Sequence, residues 1–171
     1  MDVVLSINDK LTSSERLLHG IASATNTLLT VQDLDEAINK ALGYLGQATQ
    51  VDRIYVFQNG YCSIAHEPTM SQRWEWVNQS VQPEIDNPDL QNLLYRQFFP
   101  RWYQEMNKGH AIHGLVDDFP ESERAILDPQ GIQSILVVPI QIQQHFGDLL
   151  GLITANVATI GLRLKSHHCG L

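Results

Sequence analysis

Residues 128–140 place two punctuating residues, Pro129 and Gly131, directly ahead of a run of aliphatic and β-branched side chains. Proline cannot continue a helix and glycine accepts a positive φ, so the pair ends a helix and opens a strand from Ile132 to Ile140. Ile135, Val137 and Pro139 fall on one face of that strand, and Ser134, Leu136, Val138 and Ile140 fall on the other. Both faces are apolar, which places the strand inside a sheet rather than on its rim. Pro139 donates no ladder bond and belongs at a strand end or a bulge.

A chain of 171 residues with 43% hydrophobic content can form one compact domain with a core of its own, burying about 70% of its unfolded surface. Nineteen acidic against eleven basic side chains give a formal charge of -8, which argues against nucleic acid or an anionic membrane surface as a partner. Cys62 and Cys169 do not make a disulfide framework, and the start through Asp2 and Val3 lacks a basic signal region, so the cytoplasm is the expected location. The apolar run 149–162 is interrupted by Thr154, Asn156 and Thr159 and is too short for a membrane span.

Two amphipathic helices come first. Thr12 with Glu15 reads as a capping box ahead of Leu17, Leu18, Ile21, Thr25, Leu28 and Leu29 at helical spacing. Thr30 with Asp33 repeats the pattern ahead of Leu34, Ala37, Ile38, Ala41, Leu42 and Leu45, with an end near Gly46. Ile54, Tyr55, Val56 and Phe57 then form a strand, and Asn59 followed by Gly60 predicts a hairpin turn. The return runs through Tyr61 to Ala65 and, after a break at Pro68, from Met70 to Asn78, with Trp74 and Trp76 on one face. From Gln79 to Leu115 short helices and turns take over, with Pro88 and Pro100 at helix starts and Gly109 after a helix end.

Gly131, Ile132, Ser134, Val138, Pro139 and Ile140 match a Gly-Ile-x-Ser-x-x-x-Val-Pro-Ile signature, and the chain here resembles the GAF family. Residues 53–57, 70–77, 99–102 and 118–124 extend the likeness to GAF domains of bacterial, especially cyanobacterial, multidomain sensors. The resemblance implies an α+β, GAF-like and PAS-related fold: a mostly antiparallel sheet of about five or six strands, with helices on one side and a helical excursion on the other. It also implies a ligand cavity between sheet and excursion. The candidate walls are Tyr55, Phe57, Trp74, Trp76, Phe99 and Trp102, with Phe98 and Tyr103 beside them.

In such sensors the first helix continues from an upstream linker and pairs with its copy in a dimer. Residues 1–11, with Leu5, Ile7 and Leu11, are therefore read as linker or signalling helix, while Leu17 to Leu29 are expected to pack on the protein's own sheet. The resemblance implies a non-catalytic sensory or regulatory module of cytoplasmic signal transduction, from a sensor histidine kinase or similar protein. Its partners would be a small molecule and a second copy, with no nucleic acid and no membrane. A purely structural dimerisation module and a thiol-dependent GAF-type methionine sulfoxide reductase are the alternatives.

Several chemistries have no motif behind them. Bilin attachment in these domains uses a cysteine within the excursion, whereas Cys62 sits in a hairpin strand before Ser63 and Cys169 stands in the atypical tail. No cofactor or metal is expected: His167, His168 and Cys169 are adjacent and make a poor tetrahedral set, and His110 and His113 point to opposite faces of a strand. Glu121, Glu123 and Arg124 suit the exposed face of a short helix. No phosphate loop or nucleophile elbow is present.

Residues 12–146 are thus read as the domain and 147–171 as an atypical tail. Where a GAF domain of this type continues Phe-Trp-Gly-Phe-Ile-Gly-Phe-Asp, this chain reads Phe146, Gly147, Asp148, Leu149, Leu150, Gly151, Leu152, Ile153. One inserted nucleotide after the codon of Phe146 reconciles the two, so a frameshift from about Gly147 is expected. The tail should still fill the last strand position, with poorer packing. Restoring that nucleotide should lengthen the reading frame and raise the urea midpoint of the product; an early stop, or a restored chain no more stable than this one, contradicts the expectation.

Overall fold

The structure is a computed structural model that describes residues 2–142 and 145–155. The chain divides into two compact units, Met1–Val51 and Asp52–Leu171.

The first unit is a pair of helices, α1 (Asp2–Thr30) and α2 (Leu34–Thr49). No glycine or proline interrupts the residues ahead of Thr12, so α1 passes through Thr12 instead of starting there. Gly20, Ala24 and Thr27 recur at four and three residues and form the buried stripe of α1. A Cβ placed on Gly20 would come within 2.3 Å of the Ala48 Cβ, so the two helices cross almost backbone to backbone there. Because small residues make this contact, Leu17, Leu18, Ile21, Leu28 and Leu29 stay exposed, contrary to the expectation that this face is packed.

Helix α2 is capped by Asp33, whose carboxylate accepts the Glu36 N–H at 2.8 Å. Thr30 instead closes α1. The C-terminal end of α2 lies beyond Gly46, where Gln50 adopts a left-handed conformation and donates its N–H to the Gly46 carbonyl at 2.9 Å.

The second unit carries six strands: β1 (Arg53–Cys62), β2 (Glu67–Val77), β3 (Leu93–Leu94), β4 (Ile112–Leu115), β5 (Ser134–Ile142) and β6 (His145–Thr154). They form one antiparallel sheet in the order β3-β2-β1-β6-β5-β4. The β1–β2 hairpin does not turn at Asn59 and Gly60, which pair with Met70 and Thr69 inside the ladder. Asn59 is held there by other parts of the fold: its N–H donates to Asp148 at 2.9 Å and its side-chain oxygen accepts from the Tyr95 hydroxyl at 2.7 Å. The turn falls beyond Cys62, and Pro68 lies inside β2 opposite Tyr61.

Gly131 takes a φ of 68° and closes a 3-10 turn, Asp128–Gln130, as the corner into β5 requires. Ile135 and Val137 are buried on one face of β5, while Leu136 and Ile140 on the other are exposed. The strand lies inside the sheet between β6 and β4, second from the edge, and the two central places belong to β1 and β6. Pro139 pairs with Leu149 beyond the last β4 partner, one residue from a register shift at Ile140 and Gln141.

Strand β6 is the last strand, as expected, and fills a central place with Leu149 and Ile153 fully buried. Its register sets Gly151 against Tyr55, where a Cβ would lie 2.1 Å from the Tyr55 ring. Gly151→Ala should therefore lower the unfolding free energy by about 1–3 kcal/mol through overpacking. Tyr55→Leu in the same chain should return part of that loss in urea titrations.

Candidate functional site

Between β2 and β4 the chain stays in the sheet only at β3 and otherwise covers one of its faces with a 3-10 turn (Pro88–Leu90), α3 (Tyr95–Phe98) and α4 (Pro100–Met106); α5 (Glu121–Leu127) follows β4. Local chemistry sets these starts. Asn87 accepts the Asp89 N–H at 3.0 Å ahead of Pro88, and Pro100 takes the first turn of α4, where a missing N–H costs nothing. Helix α4 ends at Met106, and Gly109 follows with a φ of 81°.

One buried cluster joins sheet and excursion, and it contains Tyr55, Phe57, Phe99 and Trp102. Phe99 and Trp102 meet at a tilt of 46° with ring centroids 4.4 Å apart, and Tyr55 meets Phe57 edge to face at 4.8 Å. Phe98 packs against the cluster, and Tyr103 tilts on Tyr95 at 5.0 Å. Trp74 and Trp76 pair with Val56 and Ile54, so alternation sets them on the sheet face opposite Tyr55 and Phe57. They share a face, as their spacing predicts, but do not join the Phe99 and Trp102 group.

Two buried carboxylates fasten the excursion. Glu123 is 1% exposed and takes hydrogen bonds from Arg101 Nε at 3.0 Å, Arg101 Nη2 at 2.6 Å and Trp102 Nε1 at 2.9 Å. This corrects the exposed position expected of Glu123; its carboxylate fixes the indole that caps the cluster. The Arg101 guanidinium also lies over the Phe119 ring, 5.0 Å from its centroid.

Glu75 accepts from the backbone N–H groups of Glu84 and Ile85 at 2.8 and 2.9 Å and forms an ion pair with Arg53 at 3.2 Å. Arg53 extends the network, donating to the Gln82 carbonyl at 2.8 Å and to the Gln130 side-chain oxygen at 3.3 Å. Burial raises the Glu75 carboxyl above the ordinary glutamate value, opposed by the Glu84 amide, the Arg53 charge and the Ile85 amide. Burial likewise pushes the Tyr55 and Tyr95 hydroxyls far up, so both act as neutral phenols.

Tyr55, Phe57, Phe99 and Trp102 line an internal cavity of about 10 Å³, together with Leu90 and Gln130. That is room for about one water. A second space, an open cleft of about 370 Å³, lies between the 87–98 segment and residues 125–130 and shares Leu90, Leu93, Ile126 and Gln130 with the first. His110 is exposed, with its Nδ1 2.8 Å from Glu105, and His113 is exposed on β4. Among the described residues no group of three metal-ligating side chains is present; His167, His168 and Cys169 lie outside them. Arg53→Met should cost about 3–5 kcal/mol by leaving Glu75 buried beside no cation. Adding Glu75→Gln should recover a large part of that loss in urea midpoints.

The GAF domain family model matches residues 33–159, well over half of the chain. Over 142 residues the chain is 42% identical to the methanogenesis regulatory histidine kinase FilI of Methanothrix harundinacea (strain 6Ac), a match that covers 83% of this chain and 16% of that kinase. Among solved structures it is similar to the phycocyanobilin-bound GAF domain of a cyanobacterial phytochrome. The TM-score is 0.63 at 14% identity, over 89% of this chain and 98% of that one. It is also similar to the chromophore-binding domain of a bacteriophytochrome from R. palustris, with a TM-score of 0.64 at 10% identity, over 84% of this chain and 53% of that one. These identities carry the fold alone. A six-stranded antiparallel sheet under a helical excursion is the α+β architecture they share, and this chain belongs to the GAF domain family.

Proposed function

We propose that this chain is the non-catalytic sensory or regulatory module of a cytoplasmic signal-transduction protein of the sensor histidine kinase type. The observation that carries the reading is the 42% identity to a regulatory histidine kinase along 83% of the chain. The site is the layer between sheet and excursion, where Tyr55, Phe57, Phe99 and Trp102 supply aromatic walls that a small molecule enters by parting the excursion from the sheet. Trp74 and Trp76, on the opposite face, serve as indoles outside that layer. The reductase alternative rests on Cys62, whose sulfur sits at the hairpin end and accepts the Ala65 N–H at 3.4 Å, away from the aromatic cluster.

The second partner is another copy of the chain, and α1 supplies the reason. Leu11, Leu18, Ile21 and Leu28 are all exposed and recur at seven, three and seven residues, the spacing of a coiled-coil seam. Leu5 and Ile7 lie among residues whose side chains fall outside the description. In this reading the seam passes a change in the sheet unit along α1. No helix among the described residues is long and apolar enough to cross a membrane.

The chain should sediment as a dimer, and Leu18→Glu with Ile21→Glu should render it monomeric while its melting curve stays cooperative. A monomeric parent chain contradicts the seam. A thermal-shift screen with bilins, nucleotides and aromatic metabolites tests the ligand: saturable stabilisation should weaken in Trp102→Phe and Phe99→Leu and persist in Trp74→Phe. Loss only in Trp74→Phe would move the site to the other face of the sheet.

A further inference from the structure

We infer that the open cleft beside the aromatic cluster is a recognition site for a small uncharged molecule with a cyclic amide or ureide edge, the edge that nucleobases present. The inference deepens the sensory reading and rests on it only for the use made of binding. Its first support is size: about 370 Å³ is within the range of small-molecule sites, whereas the enclosed aromatic cavity of about 10 Å³ admits no organic ligand as it stands.

The second support is the state of the polar groups. Gln130 and Asn87 are committed to the protein. Gln130 donates to the Ile126 carbonyl at 2.8 Å and accepts from Arg53, and Asn87 accepts from Asp89 and donates to Glu84 at 2.7 Å. Gln91 donates to the Gln72 carbonyl at 3.2 Å, which fixes its amide and leaves the oxygen to accept. The side chains of Asn92 and Gln97 and the carboxylate of Asp89, all three on exposed residues, line the cleft without a hydrogen bond to any described residue and are free to exchange water for a ligand. Asn92 is set in a left-handed conformation, φ 55°, where its N–H donates to the Ser71 hydroxyl at 2.8 Å.

Carboxamides offer a coplanar donor and acceptor, the complement of a cyclic amide edge. Leu94, Phe98, Ile126 and Pro129 supply an apolar wall against which a flat ring can lie. Charge narrows the class further. Asp89 is the sole ionisable residue in the lining, which contains no lysine, arginine or histidine. A phosphate or carboxylate on the ligand would meet an anion with no cation to offset it, so unphosphorylated molecules are preferred.

Gln130 gives the site a physical route inward. It lines both the cleft and the enclosed cavity, and its amide oxygen is the acceptor for Arg53, which is paired with Glu75. A ligand that shifts Gln130 therefore changes the polar network that ties the excursion to the sheet.

Isothermal titration of the whole chain with guanosine, uridine and their 5′-monophosphates tests the inference. At least one nucleoside should bind saturably, and its monophosphate should bind roughly tenfold more weakly; Asp89→Asn should narrow that gap. Asn92→Gly, which keeps the left-handed backbone, and Gln97→Ala, on an exposed position, should each weaken nucleoside binding by about tenfold, the value of one hydrogen bond. Both variants should melt as the parent does. No saturable heat with either nucleoside at millimolar concentration, or wild-type affinity in both variants, overturns the inference. A ligand found by thermal shift that depends on Trp102 but not on Asn92 or Gln97 would overturn the cleft while leaving the sensory reading in place.

Discussion

The layer between sheet and excursion is organised by a buried charge pair, Arg53 with Glu75, whose side chains are only 5% and 3% exposed. Desolvating two charges costs several kcal/mol each and is offset only when the remaining donors and acceptors are also satisfied. Here Glu75 receives two amides from the 84–85 turn, and Arg53 reaches the Gln82 carbonyl and the Gln130 side chain, while its Nε faces Glu75 at 3.2 Å as an ion pair without a hydrogen bond of its own. A pair of this kind fixes position more than it adds stability. It holds the start of the excursion at one place on the sheet, and the aromatic cluster then packs beneath a roof already located.

Glu123 repeats the device at the other end of the excursion. By holding Arg101 and the Trp102 indole together it sets the ring that packs on Phe99. The consequence for function is a core with little empty space and a cleft next to it. The space in the aromatic layer, about 10 Å³, is too small for an organic molecule, whereas the cleft of about 370 Å³ is open. Both spaces share Gln130, the residue whose side-chain oxygen also engages Arg53.

The sequence made visible what local chemistry controls. Gly131 ends its turn with a positive φ, Pro88 and Pro100 open helices, and Tyr55, Phe57, Phe99 and Trp102 meet in one buried cluster. What it hid depends on distant partners. Asn59 and Gly60 form a strong local turn signal, yet contacts from Asp148 and Tyr95 keep them in the ladder. Alternation put Trp74 and Trp76 on one face, but which face depends on the pairing register and the irregularity at Val56 and Phe57. Glu75 and Glu123 look like ordinary surface acids until residues elsewhere in the chain bring amides, an arginine and an indole to them. The exposed apolar face of α1 was masked differently: leucines suit either a core or a partner, and only the Gly20 and Ala48 crossing shows that small residues took the internal contact.

Hydrogen exchange of the Glu84 and Ile85 amides tests most directly whether the charge pair locates the excursion. In the parent chain both amides should be protected by the Glu75 carboxylate, together with the β1 and β6 ladder. In Arg53→Met with Glu75→Leu, which removes both charges while keeping bulk, the ladder should keep its protection and the two loop amides should exchange at least tenfold faster. Equal protection of the loop in both chains would contradict the account, because the excursion would then be held by its apolar contacts alone.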